Sequence, residues 1–159
     1  MAKIKRKFFV QYIQAQITPA SYERLGHEIE ELTVEMGANV VKSKDVLGNT
    51  ATSIDTYEKS MSVEPYKADA GTPLHTWLQS IVDEEKTLDD LNTNIVEVHL
   101  WEEATGGAYP AYKEDVVVEV VSYGGNTEAY QIPFNVHYTG NRTKGKFNPT
   151  TKTFTADAG

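Results

Sequence analysis

Residues 123–140 read YGGNTEAYQIPFNVHYTG. Two runs rich in tyrosine and valine flank Gly124-Gly125-Asn126. Glycine and asparagine tolerate positive φ, which tight hairpin turns require. The stretch therefore predicts a β-hairpin. Its first strand is YPAYKEDVVVEVVSY (109–123), with a valine-rich centre, and its return strand covers Gln131 to Tyr138. A further short strand is expected over Asn141 to Phe147.

Outward from this hairpin the chain stays β-rich. NIVEVHLWEE (94–103) alternates Ile95, Glu97, His99 and Trp101 against Val96, Val98 and Leu100, the period of a strand. Residues 4–17 form a first strand that Pro19 ends. Residues 27–48 predict a strand, a bend or bulge at Gly37, and a second segment over Val40 and Val41. Glu28, Glu30, Glu31 and Glu35 make it acidic, and its alternation slips at Glu30-Glu31. DVLGNTAT (45–52) predicts a loop. Residues 53–66 alternate with neither face fully apolar, the pattern of a strand facing water or a wet interface. One segment departs from this period. Thr72 and Pro73 suit the N-cap and first position of a helix. Leu74, Trp77, Leu78 and Ile81 then recur at helical spacing, predicting a helix over about 73–85 with those four on its core face. The fold class is mainly β: a β-sandwich or partly closed β-barrel with one flanking α-helix. Residues 1–148 form one domain, and 149–159 are expected to be a flexible C-terminal arm.

Composition narrows the chemistry. The chain has 159 residues, one domain by length. It has no cysteine, which excludes disulfides, thiolate metal sites and a cysteine nucleophile. Fifteen basic residues stand against 23 acidic ones, a formal net charge of −8, which opposes an overall grip on nucleic acid. MAKIKRKFFVQY is basic but lacks the apolar core of a signal peptide, and no apolar run approaches a membrane span. The four histidines, His27, His75, His99 and His137, share no ligand spacing. Adjacent carboxylates such as Asp89-Asp90 read as solvated surface. No glycine-rich phosphate cradle or nucleophile elbow is present. No enzyme, metal or cofactor is expected. Tyrosine is plentiful at nine residues, which suits strands and interfaces alike.

The stretch YGGNTEAYQIPFNVHYTGNRTKGKF, with HEIEELTVEMGANVVKSKDVLGNT and the TPLHTWLQSIVDEE helix, resembles the major tail (tail tube) proteins of long-tailed bacteriophages. That family is related to the tube proteins of phage-tail-like bacteriocins and type VI secretion. The resemblance implies a subunit of hexameric rings that stack into a hollow tube through which the genome passes. Its partners would be further copies of itself, the tape measure protein and tail-end proteins. Its place would be the virion tail, assembled in the bacterial cytoplasm. DNA would pass the lumen without specific binding, and no membrane would be involved. On this reading Glu28, Glu30, Glu35, Asp55 and Glu58 are expected to line an acidic lumen that repels phosphates. The loop Asp45, Val46, Leu47, Gly48, Asn49 and Thr50 would contact the next ring. A carbohydrate-binding β-sandwich, or a connector or terminator ring that does not polymerise, are the alternatives.

Overall fold

The computed structural model describes residues 2–157. In chain order the elements are β1 (Phe9–Ala15), β2 (Ser21–Arg24), β3 (Val34–Glu35), β4 (Ala38–Lys44), β5 (Thr50–Tyr57) and β6 (Ser60–Val63). Then follow α1 (Pro73–Glu84), β7 (Asn92–His99), β8 (Tyr109–Val120), β9 (Gly124–Gly125), β10 (Tyr130–Gln131), β11 (Phe134–Asn148) and β12 (Thr153–Ala156). The main sheet runs β2-β1-β7-β8-β11-β6-β3, with β12 also on β11, and every pairing is antiparallel. The architecture is sandwich-like, and the sheet does not close into a barrel.

The hairpin of residues 123–140 exists, but its strands are not uniform. Gly124 and Gly125 pair with Gln131 and Tyr130 as a small ribbon of their own, beyond the β8–β11 ladder. Asn126 closes the tip, its side-chain oxygen accepting from the amides of Glu128 (2.9 Å) and Ala129 (3.3 Å). Gly125 has φ +105°, and a Cβ there would lie 2.3 Å from the Ala129 carbonyl oxygen. No larger residue fits the turn. The return strand is much longer than predicted. β11 continues through residues 141–147 after an irregularity between Tyr138 and Arg142. The tail over 153–156 is not a free arm: β12 pairs with the end of β11, Phe154 opposite Phe147. Its last two residues lie outside the described ones.

The strands carry two apolar faces because side chains alternate. One face holds Ile13, Ile95, Val116, Val118, Val136, Phe134 and Met61, all buried beneath α1. Leu74, Trp77, Leu78 and Ile81 of the helix are buried against it. Thr72 makes no side-chain cap bond; its hydroxyl donates instead to the Asp69 carbonyl. Glu23 of β2 supplies the cap, accepting from the Leu74 amide at 3.2 Å. A long-range carboxylate thus satisfies a helix-end donor that the sequence assigned to a local hydroxyl. The opposite face holds Val10, Tyr12, Val96, Val98, Ala111 and Phe147. In a flat sheet β1 and β11 would stand about 14 Å apart, three strand spacings. The rings of Tyr12 and Phe147 nevertheless lie 4.6 Å apart, centroid to centroid. The sheet therefore coils over this face, and its own curvature covers the second core without another layer.

Trp77 is 1% exposed at the centre of the helix contact. Trp77→Ala is expected to lower unfolding free energy by about 3–5 kcal/mol, read as a shifted urea midpoint with unchanged slope. An unshifted midpoint would mean that the helix does not depend on the sheet.

Candidate functional site

Two features stand apart from the packed body. The first is a projecting arm. β3 and β6 pair within the main sheet, Val34 opposite Met61 and Glu35 opposite Ser60. The same two chain segments then leave it together as β4 and β5, from Ala38 opposite Tyr57 to Lys44 opposite Thr50. Gly37 is the joint. Its φ is +58°, a Cβ would lie 2.0 Å from the Glu58 carbonyl oxygen, and its own carbonyl accepts from the Glu58 amide at 3.0 Å. The register shifts between Asn39 and Val40, leaving Asp55 unpaired in the ladder. Asn39 donates to the Asp55 carboxylate at 2.8 Å.

Every residue from 36 to 58 is exposed. The tip is nevertheless ordered by its own bonds. The Asp45 carboxylate accepts from the amides of Leu47 (2.9 Å) and Asn49 (3.0 Å), and the Asp45 amide donates to the Asn49 carbonyl (3.0 Å). This turn holds Val46 and Leu47 outward, 101% and 82% exposed. Along the ribbon Val40 faces Ile54 across the strands, and both are about half exposed. A two-stranded ribbon with no covering layer is marginal alone. This one also exposes five aliphatic side chains, Val40, Val41, Val46, Leu47 and Ile54, and exposed apolar surface of that kind marks interaction sites.

The second feature is a cleft of about 900 Å³ at the arm's root. Its floor is the part of the sheet face that α1 does not reach. Glu97 and Glu114 point into it from β7 and β8, both buried. Lys59 reaches both Glu114 oxygens, at 2.6 and 2.9 Å. Arg142 donates to Glu114 and lies 3.5 Å from Glu97. The Arg142 guanidinium sits 4.1 Å from the Tyr112 ring centroid, and Lys59 caps the Tyr138 ring at 4.8 Å. Burial pushes the Glu97 carboxyl above its ordinary range; Arg142 opposes the shift and Glu114 adds to it. Burial raises the Tyr138 phenol in the same way, and its hydroxyl has no hydrogen-bond partner among the described residues. Two carboxylates facing two cations balance formally. No group of three or more histidine, cysteine, aspartate or glutamate residues among those described could hold a metal ion. The cleft holds an ion-pair network that ties β6, β7, β8 and β11 together where apolar packing stops.

The five carboxylates expected in a lumen do not share a strand ladder. Glu28 and Glu30 lie in an irregular segment between β2 and β3, Glu35 ends β3, Asp55 bulges from the arm and Glu58 sits at its joint. The strand predicted from residue 28 fails for a packing reason. Leu25 and Leu32 are buried and Ile29 packs on the same core, a three-to-four-residue recurrence that an extended chain cannot present to one side. Glu28 at φ +59° turns the backbone. All five carboxylates are exposed. The strand predicted over 53–66 also breaks, between Tyr57 and Ser60, where the arm joins the sheet. Of the predicted contact loop, Asp45 to Asn49 form the arm's tip and Thr50 already begins β5. The ion-pair network was not anticipated. Its signal is Glu97 on the same strand face as Ile95, within the otherwise apolar run 95–98. No family model matches the chain, and no curated protein matches it.

A raised carboxyl pKa means that the folded state holds the proton more tightly than the unfolded one. The stability that Glu97 contributes is then full below its unfolded value, about 4.3, and is lost as pH rises through the folded value. Glu97→Gln, uncharged throughout, is expected to melt above the wild type at pH 7, with the gap closing towards pH 4. Glu114→Gln is expected to do the opposite at pH 7. It strips Lys59 of its buried acceptor and costs about 1–3 kcal/mol. Thermal melts at both pH values check the pair.

Proposed function

We propose that this chain is a structural virion protein, a tail tube subunit that assembles into hexameric rings stacked as a hollow tube for DNA. The observation that carries the reading is the arm. Residues 36–58 contribute nothing to either core, yet they are paired, closed at the tip and apolar at Val40, Val46, Leu47 and Ile54. Such a surface is stabilised only when another molecule covers it, and further copies of the chain are the partner a tube requires. The formal charge of −8 supports a conduit that DNA traverses without specific binding. Exposed Glu28, Glu30, Glu35, Asp55 and Glu58 are the candidates for the lumen wall. Tape measure and tail-end proteins are the further partners of this reading.

Negative-stain electron microscopy of concentrated protein is the first test, with hollow tubes expected. Single rings that do not stack would make the chain a connector or terminator, and monomers at every concentration would overturn the reading. Shortening the arm is the second. Val41 and Ser53 lie directly opposite each other, so residues 42–52 can be replaced by Asn-Gly, a two-residue hairpin turn. The variant is expected to keep the wild-type circular dichroism and melting temperature and to form no long tubes. Normal tubes from it would remove the arm from the assembly.

A further inference from the structure

We infer that the arm's tip docks in an apolar groove at the far end of a second copy, beside the C-terminus of α1. This inference rests on the assembly reading above and names the surface that receives the arm. The groove has a volume of about 680 Å³ and is lined by Val82, Leu91, Val120, Val121 and Tyr123, among others. Val121 and Tyr123 are 57% and 65% exposed. It is a pocket of the size that encloses a small ligand, and so one that takes the side chains of Val46 and Leu47.

Charge identifies the occupant. The charged residues that line the groove are Glu85 and Glu119, with Lys86 as the one cation; Asp83 and Glu84 precede Glu85 at the end of the helix, and Asp89 and Asp90 follow in the 3-10 turn. Lys86 is already engaged, 3.9 Å from Glu84 and 3.1 Å from the Ser80 hydroxyl. Lys42 and Lys44 stand two residues apart, on the same face of β4 as Val40, because alternate side chains share a face. The tip therefore offers two apolar side chains beside two cations, its one carboxylate, Asp45, being turned onto the amides of Leu47 and Asn49, and the groove offers an apolar floor beside an acidic rim.

The register shows that the contact joins two copies. β6 and β8 both run antiparallel to β11, hence parallel to each other, with Ser60 level with Val117 and Val63 level with Val120. The groove opens beyond Val117 towards Tyr123. The arm leaves β6 the other way, through Tyr57, for the eight residues of β5, about 26 Å. Tip and groove point to opposite ends of the molecule. A contact between them is head-to-tail, the kind that propagates along an axis unless the rotation between copies closes it into a ring.

The absence of cysteine gives a direct test. Val46→Cys and a size-tagged Val121→Cys, both at exposed positions, are mixed and oxidised with copper–phenanthroline, then read on a non-reducing gel. The heterodimer is the expected main product, well above a mixture of Val46→Cys with Glu103→Cys. Adding Lys42→Glu and Lys44→Glu to the Val46→Cys chain is expected to abolish it, and Glu84→Lys with Glu85→Lys on the other chain to restore it. A tip-to-tip dimer of Val46→Cys in place of the heterodimer would overturn the inference. So would no heterodimer from a wild type that forms tubes, which leaves the tube reading intact. A charge-dependent heterodimer from a protein that never forms tubes would uphold the groove and sink the tube.

Discussion

The pairing of β8 with β11 along nearly their whole lengths is the constraint on which the rest of the molecule depends. β11 has fifteen residues, long enough to serve two neighbours on its other edge. Its first half bonds β6, and through β6 the arm; its second half bonds β12. The irregularity between Tyr138 and Arg142 lets one strand do both. Before it the inward side chains Phe134 and Val136 lie under the helix, and after it Phe147 closes on Tyr12. A straight strand would hold Phe147 about 14 Å from β1 and leave the second core open to water.

The ion-pair network occupies the seam between these two regimes. A sheet face longer than the helix above it leaves an uncovered remainder. Apolar residues there would be exposed, and unpaired charges in a cleft would be costly. Glu97, Glu114, Lys59 and Arg142 fill it as a mutually compensated set. Arg142 sits just past the irregularity in β11, and Lys59 just before β6. The network thus fixes the bent strand, through Arg142, and the root of the arm, through Lys59, against the same carboxylate, Glu114.

Local pattern made some of this legible in the sequence. The helix was readable because Leu74, Trp77, Leu78 and Ile81 keep one period within one element. β7 was readable because NIVEVH alternates without interruption. The segment from Glu28 to Val34 was not, because Leu25, Ile29 and Leu32 are held by the helix-covered core, which no window of sequence contains. The helix cap was missed for the same reason: Glu23 is 51 residues from the amide it accepts from. The acidic residues of 28–58 were visible as a set, but their sharing of one wall depended on a ladder that does not form over its first half. The full length of the arm was hidden at Gly37 and Glu58, where composition suggests separate strands and the cross-strand bond shows one jointed ribbon.

Charge sets a condition on any self-assembly of this chain. Copies that each carry −8 repel, but at physiological ionic strength that repulsion decays over about 8 Å. Bodies held apart by an arm of about 26 Å meet mostly screened charge. Groups in contact are screened far less. A short-range match between Lys42, Lys44 and the acids around α1's end can therefore prevail over the net like charge, provided apolar burial accompanies it. Val46 and Leu47 supply that burial at the position where the cations converge. The same balance disfavours side-by-side contact between two acidic rims, whose one lining cation, Lys86, already lies beside Glu84 and the Ser80 hydroxyl. In such an assembly, orientation would be selected as much by what the rims repel as by what the tip attracts.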